Sequence, residues 1–280
     1  NEPASNESVG DPDVGADVLR RNNVRVVGQA DGPWMMFSHG FGCDQEMWRF
    51  VAPHFEHDHR VVRYDHTGAG RSDLGAYSSD RYSTLHGYAR DAVEIGQQLG
   101  ITGGTFVGHS VAAMIGVLAH RAAPTMFDRL VLVAPSPRYL DDDGYVGGFS
   151  RSDIDELLDS LASNYLGWSA TTAPAIVGRP DLPELGEELT ESFCRTDPTI
   201  AEEFARVTFL SDHRDDLQHV EAPSLILQVA VDFLAQPAVG EFVHQQMPDS
   251  RLVVLDTSGH CPQLSVPDQV VAAIRDFVGR

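Results

Sequence analysis

One short segment, Gly108-His109-Ser110-Val111-Ala112, limits the possible folds more than any other part of the chain. It follows the apolar run Thr105-Phe106-Val107 and precedes residues 111–122, which have the character of a buried helix. Small residues at both ends of the segment allow the backbone to turn sharply from the strand into the helix. Such a turn raises the serine above the sheet edge and aims its hydroxyl at the positive end of the helix. The segment therefore predicts a strand, a tight turn and a helix, with Ser110 as a candidate nucleophile.

A Gly-x-Ser-x-small segment alone is a weak indication, because such segments occur by chance and Ser110 could simply cap a helix. The other apolar runs decide between these interpretations. Predicted strands alternate with amphipathic helices along the chain, and this succession is typical of a parallel sheet with right-handed crossovers. The predicted strands are residues 23–28, 34–37, 60–64, 105–107, 129–133, 225–229 and 251–255, and the predicted helices outside the central region are residues 85–99, 111–122, 238–247 and 267–278.

The alternation stops between residues 137 and 219, where the chain becomes helical and acidic. The clearest helical segments there are residues 154–165, 185–193 and 200–209. A helical insertion between two sheet strands predicts a cap over the carboxyl ends of the strands, where open α/β sheets bind ligands. We therefore expect a core of residues 18–136 and 220–280, a helical cap of residues 137–219, and a flexible acidic tail of residues 1–17.

The charge balance excludes several kinds of partner. Acidic residues number 41 and basic residues 20, and all of the basic ones are arginine. Such a surface repels phosphate backbones and anionic lipids, so we expect neither nucleic-acid nor membrane binding. The first residues are polar and unlike a secretory signal, which favours a cytoplasmic protein. The acidity would suit either a high-salt host or a GC-rich genome, and the sequence does not separate these two origins.

Two later residues complete a candidate catalytic set. Asp232 and His260 each follow one of the two last predicted strands, and the order serine, acid, histidine is that of α/β-hydrolases. His260 would take the Ser110 proton as general base, while Asp232 would orient and stabilise the imidazolium. The tetrahedral oxyanion needs preorganised donors, and the backbone N–H groups of Phe41 and Val111 occupy the expected positions.

Other acidic residues fit the role of the catalytic acid less well. Asp256 lies only four residues before His260, which leaves too short a loop. Asp65 and Asp73 follow an earlier strand, and we interpret them as residues that stabilise turns.

Neither a metal site nor a disulfide framework is predicted. His54, His57 and His59 lie close together with Glu56, but nothing places them on a rigid face, so we interpret them as a solvated turn. The three cysteines, Cys43, Cys194 and Cys261, are scattered and odd in number. Although Cys261 adjoins His260, neighbours in sequence rarely reach nucleophile-to-base geometry, and we expect an inert packed thiol.

Several longer segments support a narrower resemblance: Ser38 to Gln45, Asp65 to Asp73, Pro135 to Leu140, Phe193 to Pro198, Ser211 to Arg214 and Gly259 to Pro262. Together with the serine segment they resemble the RsbQ-like α/β-hydrolases, bacterial stress-response regulators related to the plant karrikin and strigolactone receptors. The resemblance extends from about Val18 to the C-terminus. Two departures are Ala112, where Ser or Gly is common, and the loop of residues 231–237, which lacks a second acidic residue before Asp232 and a proline at Gln236.

The resemblance implies an α/β-hydrolase fold: a mostly parallel central sheet flanked by helices, with a four-helix cap inserted after the sixth strand. It also implies a triad of Ser110, Asp232 and His260, and an oxyanion hole formed by Phe41 and Val111. The cap would cover a small apolar pocket. By position, four aromatic side chains could line this pocket or belong to the ordinary core: Phe41, His109, Trp168 and Phe209.

Two functions follow from this sequence. The first is a cofactor-free esterase or lactonase that cleaves a small uncharged substrate, since acidic surroundings disfavour anions. The second is a signalling protein that binds or slowly hydrolyses a small apolar ligand and contacts a partner; by resemblance, that partner is a phosphatase with a PAS domain. Hydrolysis of carbon–carbon bonds or thioesters would use the same residues and is a minor alternative.

Overall fold

A computed structural model describes residues 12–279, with side chains from residue 17, and places seven strands in one sheet. The order across the sheet is β1-β3-β2-β4-β5-β6-β7, with β1 antiparallel to β3 and every other neighbouring pair parallel. The predicted mostly parallel α/β fold is therefore confirmed. The strands are β1 (Arg25–Gly28), β2 (Trp34–Ser38), β3 (Arg60–Arg63), β4 (Gly104–His109), β5 (Phe127–Val133), β6 (Ser224–Val231) and β7 (Ser250–Ser258).

One α-helix precedes β1, and the other α-helices of the described chain lie between or after the strands from β3 onwards. Their bounds are α1 (Pro12–Arg21), α2 (Leu85–Leu99), α3 (Val111–Ala122), α4 (Arg151–Ser163), α5 (Tyr165–Val177), α6 (Pro183–Arg195), α7 (Pro198–Leu210), α8 (Arg214–Leu217), α9 (Pro237–Gln246), α10 (Pro262–Ser265) and α11 (Pro267–Val278). Among the described residues, no helix has the length and apolarity needed to cross a bilayer.

The core lies on both faces of the sheet, because successive side chains of a strand point in opposite directions. On one face, Met36 and Phe106 pack with residues of α2 and α3. On the other face, Met35 and Val107 pack with residues of α11. Strands buried on both faces show continuous apolar runs rather than strict alternation, as the sequence does in β4 and β5.

The helices α4 to α8 lie between β5 and β6, in the region where the sequence predicts the cap. Local capping fixes where they begin. Ser150 and Asp153 form a reciprocal capping box at the start of α4, and Asp197 accepts hydrogen bonds from the first N–H groups of α7. Helix α5 was not predicted as a separate element, because it is apolar around most of its circumference and contains Pro174.

The expected position of the insertion needs a correction. In the described part of the chain the cap follows the fifth strand, β5, and not the sixth. The count of six comes from the resemblance, whereas the apolar runs before residue 137 predict five strands, and residues 12–21, directly before β1, form helix α1. The predicted tail of residues 1–17 lies outside the described residues, except that its last part belongs to α1.

Candidate active site

The serine segment forms the predicted turn between β4 and α3. The backbone of Ser110 has φ 58° and ψ −120°, a conformation that residues other than glycine rarely adopt. Helix α3 begins at the next residue. A strained backbone conformation of this kind costs about 1–3 kcal/mol of folding free energy, and residues that adopt one cluster at functional sites. Gly108 makes the turn possible, since a Cβ at that position would lie 2.3 Å from the carbonyl oxygen of Ala112. The strained backbone therefore presents the Ser110 side chain at the carboxyl end of β4.

A continuous chain of hydrogen bonds joins the three predicted catalytic residues. The Ser110 Oγ and His260 Nε2 atoms are 2.7 Å apart, and His260 Nδ1 is 2.6 Å from Asp232 Oδ2. The other Asp232 oxygen accepts the N–H groups of Leu234 (2.9 Å) and Ala235 (3.1 Å). All three side chains are buried. With Nδ1 donating to the carboxylate, Nε2 is free to accept the Ser110 proton.

The environment of Asp232 keeps its carboxyl ionised. Burial alone would raise the pKa of Asp232, but the nearby His260 and the two backbone donors hold it below its usual value. The unusual residues of its loop do not displace it from His260. Asp256, the competing acid, is exposed within β7, while Asp65 accepts turn N–H groups from Gln45 and Arg71.

The loop that carries His260 packs directly against cap helix α5. The His260 N–H donates to the Ile176 carbonyl (2.8 Å), and the Ser258 hydroxyl donates to the Gly178 carbonyl (3.0 Å). Gly259 has φ +98°, and a Cβ there would lie 1.8 Å from the Val177 carbonyl oxygen. Only glycine allows this close approach, so the cap helps to define where the histidine lies.

The two predicted oxyanion donors come from adjoining elements. Val111 is the first residue of α3, and the first N–H groups of a helix lack intrahelical acceptors. Phe41 lies beside Gly42, which has φ +71° and whose Cβ, if present, would meet the ring of Phe193 at 2.1 Å. The oxyanion assignment stays a prediction.

A cavity of about 540 Å³ opens onto Ser110 and His260 beneath the cap. The four predicted pocket residues, Phe41, His109, Trp168 and Phe209, all line it. Aromatic packing supports this wall, since Trp168 stacks on Phe193 with ring centroids 5.7 Å apart. Further lining residues that sequence reasoning did not select are Tyr139, Phe149, Leu157, Ile176, Leu189 and Phe233.

Tyr139 is the most significant residue that sequence reasoning missed. Its side chain is buried, lines the cavity and packs on Phe209 with ring centroids 5.0 Å apart. Burial raises its pKa, and a contact with the Ser110 hydroxyl opposes that rise. The phenol therefore stays protonated beside the nucleophile. The only sequence signal was its place in the segment from Pro135 to Leu140, which contributed to the resemblance but carried no role.

The structure also shows where the cysteines and the predicted histidine turn lie. Cys43 and Cys261 also line the cavity as free thiols, and burial raises the pKa of each, which suppresses the reactive thiolate. Among the side chains that the structure describes, no group of three or more candidate ligands could hold a metal ion. Within the predicted histidine turn, His59 is bonded to Asp58 at 2.8 Å.

Comparisons with known proteins identify the family of this chain. A model described as "Alpha/beta hydrolase family" matches residues 35–273. The chain is 38% identical to the Karrikin insensitive 2 receptor CA of Petunia hybrida, over 92% of this chain and 95% of that protein. It is 36% identical to the Strigolactone esterase D14 of Arabidopsis thaliana, over 94% and 98% respectively. The structure of olei00960, a hydrolase from Oleispira antarctica, superposes with a TM-score of 0.92 at 37% identity, covering 95% of this chain and 97% of that one. The chain belongs to the alpha/beta hydrolase family.

Proposed function

We propose that the protein is a serine hydrolase that cleaves a small uncharged ester or lactone through an acyl-enzyme. The observation that carries this proposal is the hydrogen-bonded series of Ser110, His260 and Asp232, of which Ser110 and His260 line an apolar cavity. Serine is a weak nucleophile until an adjacent base removes its proton, and an oriented histidine at 2.7 Å supplies that base.

The reaction would proceed in two acyl-transfer steps. Ser110 Oγ attacks the carbonyl carbon while His260 Nε2 takes its proton, and Asp232 stabilises the resulting imidazolium. The carbonyl oxygen becomes an oxyanion, for which the N–H groups of Phe41 and Val111 are the proposed donors. Collapse breaks the ester C–O bond, and His260 protonates the leaving oxygen. A water molecule then attacks the acyl-enzyme carbonyl carbon and gives a proton to His260. Collapse breaks the bond between the acyl carbon and Ser110 Oγ, His260 returns the proton to Ser110 Oγ, and the released carboxylic acid ionises to the carboxylate.

The cavity favours a neutral, compact substrate. Its walls are mainly aromatic and aliphatic, and at about 540 Å³ it suits a small molecule. The acidic residues Asp153 and Glu156 are among those that line it, and the chain has a formal net charge of −21. Both features disfavour an anionic substrate and favour departure of the carboxylate product.

A signalling role is the second candidate. The similarity to a protein named as a karrikin receptor favours it, as does one structural observation. Trp168 of helix α5 lines the cavity, and the Ile176 carbonyl of the same helix accepts a hydrogen bond from the His260 N–H. A ligand that contacts α5 would therefore touch an element that is hydrogen-bonded to the loop carrying His260. In this case a protein partner, of the phosphatase type expected from the RsbQ-like resemblance, would recognise the ligand-bound cap.

Turnover distinguishes the two candidates. A series of p-nitrophenyl esters of increasing chain length and a butenolide would be assayed with wild type, Ser110→Ala and Ser224→Ala. Ser224 is a matched control, because its buried hydroxyl donates to the Ala222 carbonyl at the start of β6, away from the cavity. We expect multiple turnovers that Ser110→Ala abolishes and Ser224→Ala retains.

Equal activity in Ser110→Ala would refute the proposed nucleophile. A single burst or no cleavage, with wild-type Ser110 still labelled by a fluorophosphonate, would favour the signalling role instead.

A further inference from the structure

The main chain of His260 is held from two sides. Its N–H donates to the Ile176 carbonyl of α5 at 2.8 Å, and its carbonyl oxygen lies 2.7 Å from Nε2 of His109. A carbonyl oxygen only accepts, so His109 Nε2 carries the proton and donates. The residue directly before the nucleophile is thus bonded to the backbone of the candidate general base.

The ring of His109 is wedged between two loops of the site. Its second nitrogen, Nδ1, is buried and has no hydrogen-bond partner among the described residues. A Cβ added at Gly40 would lie 2.9 Å from this nitrogen, so the ring abuts the loop that carries Phe41. Trp48 meets the ring edge-on with centroids 6.5 Å apart. The ring therefore has little freedom to rotate and keeps its donor aimed at the His260 carbonyl.

The environment also keeps His109 neutral. Burial, followed by the proximity of His260, lowers the pKa of His109 to about 3. The two imidazole centroids are only 5.1 Å apart. A positive charge on His109 at that distance would repel, and so destabilise, the imidazolium that forms on His260 during acyl transfer. A neutral ring donates its hydrogen bond without this repulsion.

We propose that His109 is a positioning residue, whose Nε2–H holds the His260 carbonyl and thereby keeps the catalytic ring aimed at Ser110. This role goes beyond lining the pocket and rests on the proposed hydrolase function. Reacting groups must be held closely, since a displacement of 1 Å can cost on the order of 10²-fold in rate. Removing the donor should release one of the two backbone contacts that hold His260.

Two variants of similar size separate the effect of the His109 Nε2–H donor from the effect of side-chain bulk. His109→Met keeps the bulk but has no N–H, whereas His109→Gln keeps an N–H that can reach the carbonyl. His120→Met is the matched control, since buried His120 donates from Nδ1 to the Phe127 carbonyl (2.6 Å) near the far end of α3. We expect His109→Met to lower kcat on the order of 10²-fold with KM changed less than about threefold, because substrate binding is retained.

His109→Gln should recover most of that loss. His120→Met should keep the wild-type kcat, although it loses a similar buried hydrogen bond and a similar amount of thermal stability. If His109→Met does not fold, His109→Asn replaces it with the same expected loss, since its amide is too short to reach the carbonyl. Equal kcat values for His109→Met, His109→Gln and wild type would overturn the proposal.

A readout independent of turnover separates this proposal from the hydrolase function. The short bond between His260 Nδ1 and Asp232 (2.6 Å) should give a downfield proton NMR signal in wild type. His109→Met should shift or broaden it, while His120→Met should not. An unchanged signal in His109→Met would refute the positioning role. A changed signal in a protein whose wild type cleaves no ester would refute only the hydrolase function.

Discussion

Replacing Gly259 with alanine should disable the site without removing any reacting group. Gly259 has φ +98°, and an added Cβ would lie 1.8 Å from the Val177 carbonyl oxygen, whereas real Cβ atoms essentially never approach closer than 3.0 Å. The loop or α5 must therefore move by at least about 1 Å. A displacement of that size at His260 should cost on the order of 10²-fold in kcat, or about 2.7 kcal/mol of transition-state stabilisation.

Gly100→Ala provides the matched control for backbone strain. Gly100 ends α2 with φ +70°, and no atom lies within 4 Å of the point that a Cβ would occupy there, so alanine adds strain but no collision. Both variants should lose about 1–2 kcal/mol of unfolding free energy from the left-handed backbone alone. Only Gly259→Ala should also lose activity.

The assay combines p-nitrophenyl ester hydrolysis with urea denaturation of wild type and both variants. A Gly259→Ala enzyme that keeps kcat within about threefold of wild type would refute the reasoning, because the close approach to α5 would then not position His260. Equal losses of activity in both variants would also refute it, since they would assign the effect to strain alone.

Three further predictions concern the acid, the nucleophile and the pH dependence of stability. Asp232→Asn should lower kcat on the order of 10⁴-fold by favouring the wrong histidine tautomer, whereas Asp256→Asn should leave ester hydrolysis unchanged, and the reverse order would disprove the assigned acid. Ser110→Gly should exceed Ser110→Ala in unfolding free energy by about 1 kcal/mol in urea titrations, because glycine tolerates the positive φ; equal values would argue against strain at the turn. Although burial opposes it, hydrogen bonds from Arg275 and His59 lower the pKa of Asp58 to about 2. This folded value lies below the usual 3.8, so the ionised carboxylate stabilises the fold above that pH and its contribution is lost as the pH falls towards 2. Asp58→Asn should therefore be less stable than wild type at neutral pH and converge with it near pH 2, which denaturation midpoints measured across that range would test.

The sequence predicts the local elements well where their patterns are strong. The helices at residues 85–99 and 267–278 have the bounds expected from their apolar spacing, and the serine turn lies where its small residues indicate. Strand ends extend a few residues beyond the apolar runs, as in β7, because hydrogen bonding continues past the buried core. Helix α5 is not predicted from the sequence, because its segment is mostly apolar and contains Pro174, so it shows no alternation of apolar and polar residues at helical spacing.

The order of strands and helices, and the chemistry-bearing residues at the strand ends, follow from the sequence alone, because these features depend on spacing between near neighbours. The meeting of Ser110 with His260, 150 positions later, depends on tertiary structure. The sequence likewise does not reveal that α5 accepts the His260 N–H or that His109 donates to the His260 carbonyl. Such contacts exist only once parallel strands have brought their carboxyl ends to one edge and the cap has packed over it. Pairing and packing across long separations, rather than local pattern, therefore decide the geometry of the site.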